Sequence, residues 1–137
     1  MDAFAISASG LAAQRARLDL IAENLANAES TRAPGGGPYR RRVAILAPEV
    51  PAFARLVGAL DAPRGVRVAG VATLPGARLV WNPAHPDARA DGYVALPNVN
   101  PITELVDLIQ AARAYEANVT ALQAAKAMAL RALDLAR

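Results

Sequence analysis

The residues best able to do chemistry are few and lie apart. His85 is the only histidine, and it sits in a turn-forming stretch with Asp87 and Asp91 nearby in sequence. A general base or a metal centre there needs both carboxylates to converge on the imidazole, and a single histidine without any cysteine makes a thin ligand set. No Ser-His-Asp constellation can be assembled beyond that one histidine, so hydrolysis has no sequence support. Gly35-Gly36-Gly37 has the composition of a phosphate loop, yet no Lys-Ser or Lys-Thr follows and no helix opens there. It reads as a flexible connector, tolerant of a one-residue change in length. Arg40-Arg41-Arg42 lacks interleaved aromatics, and salt would screen its pull on nucleic acid or anionic lipid. Arginines pointing to solvent from a strand edge, or an inter-subunit ion pair, fit it better. The expectation is therefore no catalytic residue, no metal, no cofactor, no nucleic-acid partner and no membrane insertion.

Composition agrees. The 137 residues suit one domain; 54% are hydrophobic but only 4% aromatic, with Ala and Leu prominent, and the net charge is +3. Such a chain packs helices through small and aliphatic side chains more readily than it builds a sheet-rich core or an aromatic ligand pocket. Without cysteine there is neither a disulfide framework nor a thiolate nucleophile. The opening Met1-Asp2-Ala3-Phe4 has no basic n-region, and no stretch of about 18 uncharged apolar residues occurs. A cleaved signal is not expected, so work outside the cytoplasm would require another export route.

The elements that must position these residues come in three parts: 1–30, 31–98 and 99–137. From Asp2 to Ala28 there is no proline, and Leu11, Gln14, Leu18, Ile21, Leu25 and Ala28 fall on one heptad seam, with Arg15, Arg17, Asp19 and Glu23 opposite. This predicts an amphipathic helix that stops near Asn27–Ser30, weakened slightly by Gly10. The middle is a small β-rich insert: Arg42–Leu46, Gly65–Val71 and Arg78–Trp81 read as short strands, Asn82–Asp87 as a turn, and Pro51–Leu60 as loop. After Pro101 a second helix runs to the end, with Leu105, Leu108, Ala112, Tyr115, Val119 and Leu122 on one seam. Past a stutter, the stripe continues through Ala125, Ala129, Leu133 and Ala136. The fold class is mainly α with a small β-rich insert, the two long terminal helices pairing as a coiled coil within one discontinuous helical domain. At 1.5 Å per residue the helices span on the order of 40 and 50 Å, more than a compact domain of this size needs. Their remaining apolar surface implies partners, and ordering of the ends coupled to assembly.

Polar residues on these helices carry the finer expectations. Asn24 and Asn27 read as interfacial amides that fix register between subunits, against the plainer reading of helix capping or exposure. Asn118 stands evenly between the two. Tyr93 and Tyr115 read as packing residues with a hydroxyl at hand for a neighbour. Pro97-Asn98 reads as the turn that sets the start of the last helix.

Specific residues then add a resemblance. Ser9-Gly10-Leu11-Ala12-Ala13-Gln14-Arg15-Ala16-Arg17-Leu18, then Ala22-Glu23-Asn24-Leu25-Ala26-Asn27-Ala28 and Ser30-Thr31, resemble the N-terminal signature of bacterial flagellar rod, hook and hook-associated proteins. Gly92-Tyr93-Val94-Ala95-Leu96-Pro97-Asn98-Val99-Asn100, Glu104–Ile109 and Arg113-Ala114-Tyr115-Glu116-Ala117-Asn118-Val119 resemble the C-terminal signature of the same family. The Tyr-Glu-Ala-Asn-Val run, with Lys126 and Met128 after it, is similar to the short proximal-rod type, as are Gly65–Val71, Leu79–Pro83 and His85-Pro86. The likeness covers most of the chain except roughly 46–64. Thr73 stands where an acidic residue is usual, Trp81 where Tyr is common and Leu105 where Met is common. These departures bear on subunit contacts, not on membership.

The resemblance implies a structural subunit of the proximal rod, with its terminal helices in the inner layer of a tubular drive shaft that carries torque from motor to hook. It implies export through the flagellar type III apparatus, the export gate and MS ring region as neighbours, and copies of itself and other rod proteins as partners. A sister rod protein, or a helical export adaptor or binding module, is the alternative; an enzyme is the remote third.

Overall fold

The computed structural model describes residues 2–49 and 65–135. Helix α1 spans Asp2–Ala26, strands β1 and β2 span Arg42–Pro48 and Val66–Thr73, β3 and β4 span Ala77–Trp81 and Tyr93–Pro97, and α2 spans Pro101–Leu135. The expected loop over 51–60 lies outside the described residues, as does Ala136.

Each helix ends where its residues dictate. The Asn27 N–H and its side-chain amide both donate to the Glu23 carbonyl, at 3.1 and 2.9 Å, and the Ser30 hydroxyl donates to Asn27 Oδ1 at 3.0 Å. That satisfies carbonyls the last turn leaves open. At the start of α2, Asn100 Oδ1 accepts the Ile102 N–H at 3.0 Å, with Pro101 in the first helical position, where its missing N–H costs nothing.

The connector after α1 corrects the flexible reading. Ala33 N–H donates to the Gly37 carbonyl at 2.8 Å, Gly36 N–H to Ala33 at 2.9 Å and Tyr39 N–H to Ser30 at 3.0 Å. Gly36 and Gly37 hold φ of 80° and 75°, a region that disfavours any side chain. The glycines are there for a specific turn.

The strands form two separate antiparallel ribbons, β1–β2 and β3–β4. In the first, Arg42 faces Thr73 and Pro48 faces Val66, with a shift between Ile45 and Leu46 that sets Ala69 outside the pairing. In the second, Ala77 faces Pro97 and Trp81 faces Tyr93. Strand β4 had no strand signal of its own: it is five residues long and ends on a proline, which a strand tolerates only at an edge or terminus. Pairing with β3 makes it a strand.

The two helices pack side by side and antiparallel, since Gly10 meets Asn118 while Asn24 meets Glu104. Both steps are 14 residues, or two heptads, so the register holds along the pair. The contacting face of α1 is not the leucine line. It runs through Ser7, Gly10, Gln14, Arg17, Ile21 and Asn24 and on to Ala28 in the turn just past the helix end, and that of α2 through Glu104, Asp107, Ala111, Ala114, Asn118 and Ala125. Three seam positions in α1 and most of those in α2 thus lie one place earlier than the apolar spacing suggested. Small residues let the backbones approach; leucines at the same places would hold them apart. Among the described residues few large apolar side chains are buried, and the largest fully buried ones are Glu104, Asn24 and Pro97.

Candidate assembly interface

Asn24 is the centre of the interface between the helices. Its Nδ2 donates to the Arg42 carbonyl at 2.8 Å and to Glu104 Oε2 at 3.1 Å. Its Oδ1 accepts from the Arg42 N–H and the Tyr39 hydroxyl, both at 2.9 Å. Two donors and two lone pairs are a carboxamide's whole capacity, and all four are used in a side chain that is 1% exposed. The amide therefore ties α1, β1 and α2 together.

Glu104, also 1% exposed, needs a cation, because an isolated carboxylate is costly to bury. Arg41 supplies it: Nε donates to Oε1 at 2.5 Å, and its Nη2 reaches Asp107 Oδ2 at 3.2 Å. Arg17 of α1 closes the chain of charges on Asp107 Oδ1 at 3.3 Å. Arg42 forks onto both oxygens of Glu23 at 2.7 and 2.8 Å. Burial, then the Glu23 charge, raises the Tyr39 phenol above its ordinary value of 10.0. The arginine run is accordingly divided: Arg41 faces inward to the buried Glu104, Arg42 pairs with Glu23 at the surface, and Arg40 is exposed. Arg17 and Glu23, expected on the solvent face, belong to this network.

Further along the pair, Gly10 has a stricter role than a weak point in a helix. A β-carbon there would lie 2.7 Å from Asn118 Oδ1, while Asn118 Nδ2 donates to the Ala114 carbonyl at 2.8 Å. Ser9 does the same service toward the first ribbon: its hydroxyl accepts the Val66 N–H at 3.1 Å and donates to the Ile6 carbonyl at 2.7 Å.

The remaining expected assembly residues fall around this seam. Leu11, Leu18 and Leu25 are half-buried on the flank of α1; Leu108, Tyr115, Val119 and Leu122 are half-buried on α2. Leu105, Met128 and Leu133 are exposed. Pro97 is buried, whereas Tyr93 is exposed and Asn98 lies beside Gly76. Asn27 makes helix-end contacts within the chain. Sequence reasoning passed over Gly10, Tyr39, Arg41 and Glu104; the available signals were a glycine inside a helical pattern and a lone acid opening the second helix.

The His85 group does not form a reactive site. His85 Nδ1 accepts the backbone N–H of Asp87 at 3.0 Å, while the Asp87 carboxylate turns to the Thr31 hydroxyl at 2.7 Å and to the Arg32 guanidinium. Asp91 Oδ1 accepts the Tyr93 N–H at 3.2 Å. Among the described residues no group of three or more His, Asp or Glu could hold a metal ion.

Comparison with known proteins completes the interface. Residues 4–33 match the family description "Flagella basal body rod protein", and residues 90–135 match "Flagellar basal body rod FlgEFG protein C-terminal". The flagellar basal-body rod protein FlgC of Bacillus subtilis is 41% identical over 96% of this chain and 95% of its own length. The chain belongs to the flagellar basal-body rod proteins. The FlgC protein of Borreliella burgdorferi is 44% identical over 95% of this chain and 93% of its own, and that of Salmonella typhimurium 39% over 98% and 96%. The network falls in the two matched stretches and in residues 39–42 between them, so the rod family's end segments are the parts this chain clamps together. It is a structural subunit of the basal-body rod. Among the described residues no helix is long and apolar enough to cross a membrane.

Proposed function

We propose that this chain is a subunit of the proximal rod, its two end segments forming one discontinuous helical domain that pairs as a coiled coil in the wall of a tubular drive shaft. One observation carries the reading. The helices are locked by the hydrogen-bonded Asn24–Glu104–Arg41 group in their seam, while their leucines, Leu11, Leu18, Leu25, Leu105 and Leu108 among them, are left on the flanks for neighbours. A polar seam fixes register, and apolar flanks supply the area that association needs. Copies of the same chain and other flagellar rod proteins are the partners, with the export gate and MS ring region at the base. Torque passes along the paired helices from motor to hook, and the chain reaches the rod by type III export without a cleaved signal. Asn24 and Asn118 set register, Asn27 closes the end of the first helix, and no reaction is catalysed.

Deleting the gene tests this directly. Swimming is expected to be lost and isolated basal bodies to lack a rod, both restored by the wild-type chain; swimming cells with complete rods after deletion would overturn it.

A further inference from the structure

Two features that the described residues leave uncovered match one another, and the straight run of α2 keeps them apart within one chain. The first is the end of α2. The register that sets Gly10 on Asn118 brings the start of α1 opposite Lys126, so Lys126–Leu135 projects about 15 Å beyond its partner helix. Lys126, Leu130 and Leu133 stand at i, i+4 and i+7 and so share one face of that projection; Leu130 is 53% and Leu133 66% exposed.

The second is a cleft of about 500 Å³ walled by Ile6 and Gly10 of α1, Leu46 and Pro48 of β1, Val66 of β2 and Asn118 of α2. Its walls are mostly apolar. Gln14 also lines it, and its Oε1 is buried with no hydrogen-bond partner among the described residues. The Glu49 carboxylate adds an acidic group at the rim, 3.6 Å from the point where a Gly65 side chain would begin. An apolar slot with an unmet acceptor and an acid suits an apolar helix face that carries a cation.

We propose that this cleft receives Lys126–Leu135 of a second copy of the chain, with Leu130 and Leu133 entering between Ile6, Leu46 and Val66, and the Lys126 ammonium directed to Gln14 Oε1 and Glu49. The projecting end of α2 cannot reach the cleft of its own chain. The cleft lies level with Asn118, about 12 Å back along the same unbroken helix that carries the projection. Because the two surfaces differ, the contact is head-to-tail: each copy offers one end and accepts another, which generates a ring or a helical array. The inference rests on the rod-subunit reading and specifies which faces meet.

The absence of cysteine makes the test clean. Leu133→Cys combined with Ala47→Cys, in basal bodies isolated from swimming cells and then oxidised, is expected to give dimers and larger species of this chain on non-reducing gels. Neither single variant should give them, since a disulfide needs Cα atoms within about 7 Å. Complete rods in which neither this pair nor Leu130→Cys with Pro48→Cys links two copies would overturn the contact while leaving the rod assignment intact. A link to a different protein overturns it equally. Absence of the chain from basal bodies strikes the rod reading itself. Should the cysteine strains form no rods, a charge swap decides: Lys126→Glu should cut swimming at least severalfold and Glu49→Lys should restore it, and failure of the swap to restore it would count as refutation.

Discussion

The amide of Asn24 in the first helix donates to the buried carboxylate of Glu104 in the last, across 3.1 Å and 80 residues of sequence. This one bond sets the register of the chain's two ends, and the groups around it have no spare partners. Loss of Arg41 leaves the buried Glu104 carboxylate without its cation, and loss of Asn24 takes the partner from the Tyr39 hydroxyl and the Arg42 N–H.

Arg41→Met should therefore be among the most damaging single changes. It strands the Glu104 carboxylate, and breaking a buried pair from one side typically costs about 3–5 kcal/mol. Arg40→Met, next door but exposed, should stay within about 0.5 kcal/mol. Urea unfolding of the purified chains compares the two; equal midpoints would remove the network from the account.

Asn24→Ala should cost about 1–3 kcal/mol for each group it orphans, the Tyr39 hydroxyl and the Arg42 N–H included. The same unfolding experiment reads it. A loss no larger than that of an exposed Asn98→Ala change would mean that the amide's four bonds contribute little.

Gly10→Ala pits propensity against space. Alanine gains roughly 1 kcal/mol in a helix interior over glycine, yet its β-carbon would sit 2.7 Å from Asn118 Oδ1. Overpacking of that kind costs about 1–3 kcal/mol, so a net loss is expected. In an Asn118→Ala background the sign should reverse, and a double-mutant cycle measures it. The same sign in both backgrounds would show that the two residues do not compete for space.

Stability should also fall at both ends of the pH scale, for separate reasons. Tyr39's phenol is raised by burial and Glu23, so its contribution is complete below pH 10.0 and is lost as pH climbs through the raised value; Tyr39→Phe should flatten that limb. The Asp87 carboxyl is lowered from 3.8 by bonds from Arg32 and Thr31, so its contribution is present above that value and is lost as pH drops through the lowered one. Asp87→Asn should remove that acid dependence. Thermal melts across pH check both limbs, and variants that track the wild type throughout would contradict these assignments.

Much of the layout was legible. Proline placement and turn residues gave both helix limits, and alternation with β-branched residues gave β1 to β3. The rotation of the helices was not legible, because a seam is found by counting leucines and this seam is made of glycine, alanine, asparagine and acids. Leu18 and Leu25 satisfy the heptad as well as Arg17 and Asn24 do; only Arg41 and Glu104, brought in from distant segments, make the polar line the inner one. The Arg40–Arg42 run could not be divided for the same reason, since its partners lie 19 to 66 residues away. Strand β4 depended on its neighbour, and the glycine turn on bonds from Ala33.

The central claim is that paired end helices of this chain form rod wall. A density map of isolated basal bodies, with the chain traced in it, tests that most directly. The account predicts each copy in the proximal rod with α1 and α2 antiparallel, Asn24 against Glu104, and both helices along the tube wall. A proximal rod built without this chain, or one in which its two end helices lie apart, would contradict it.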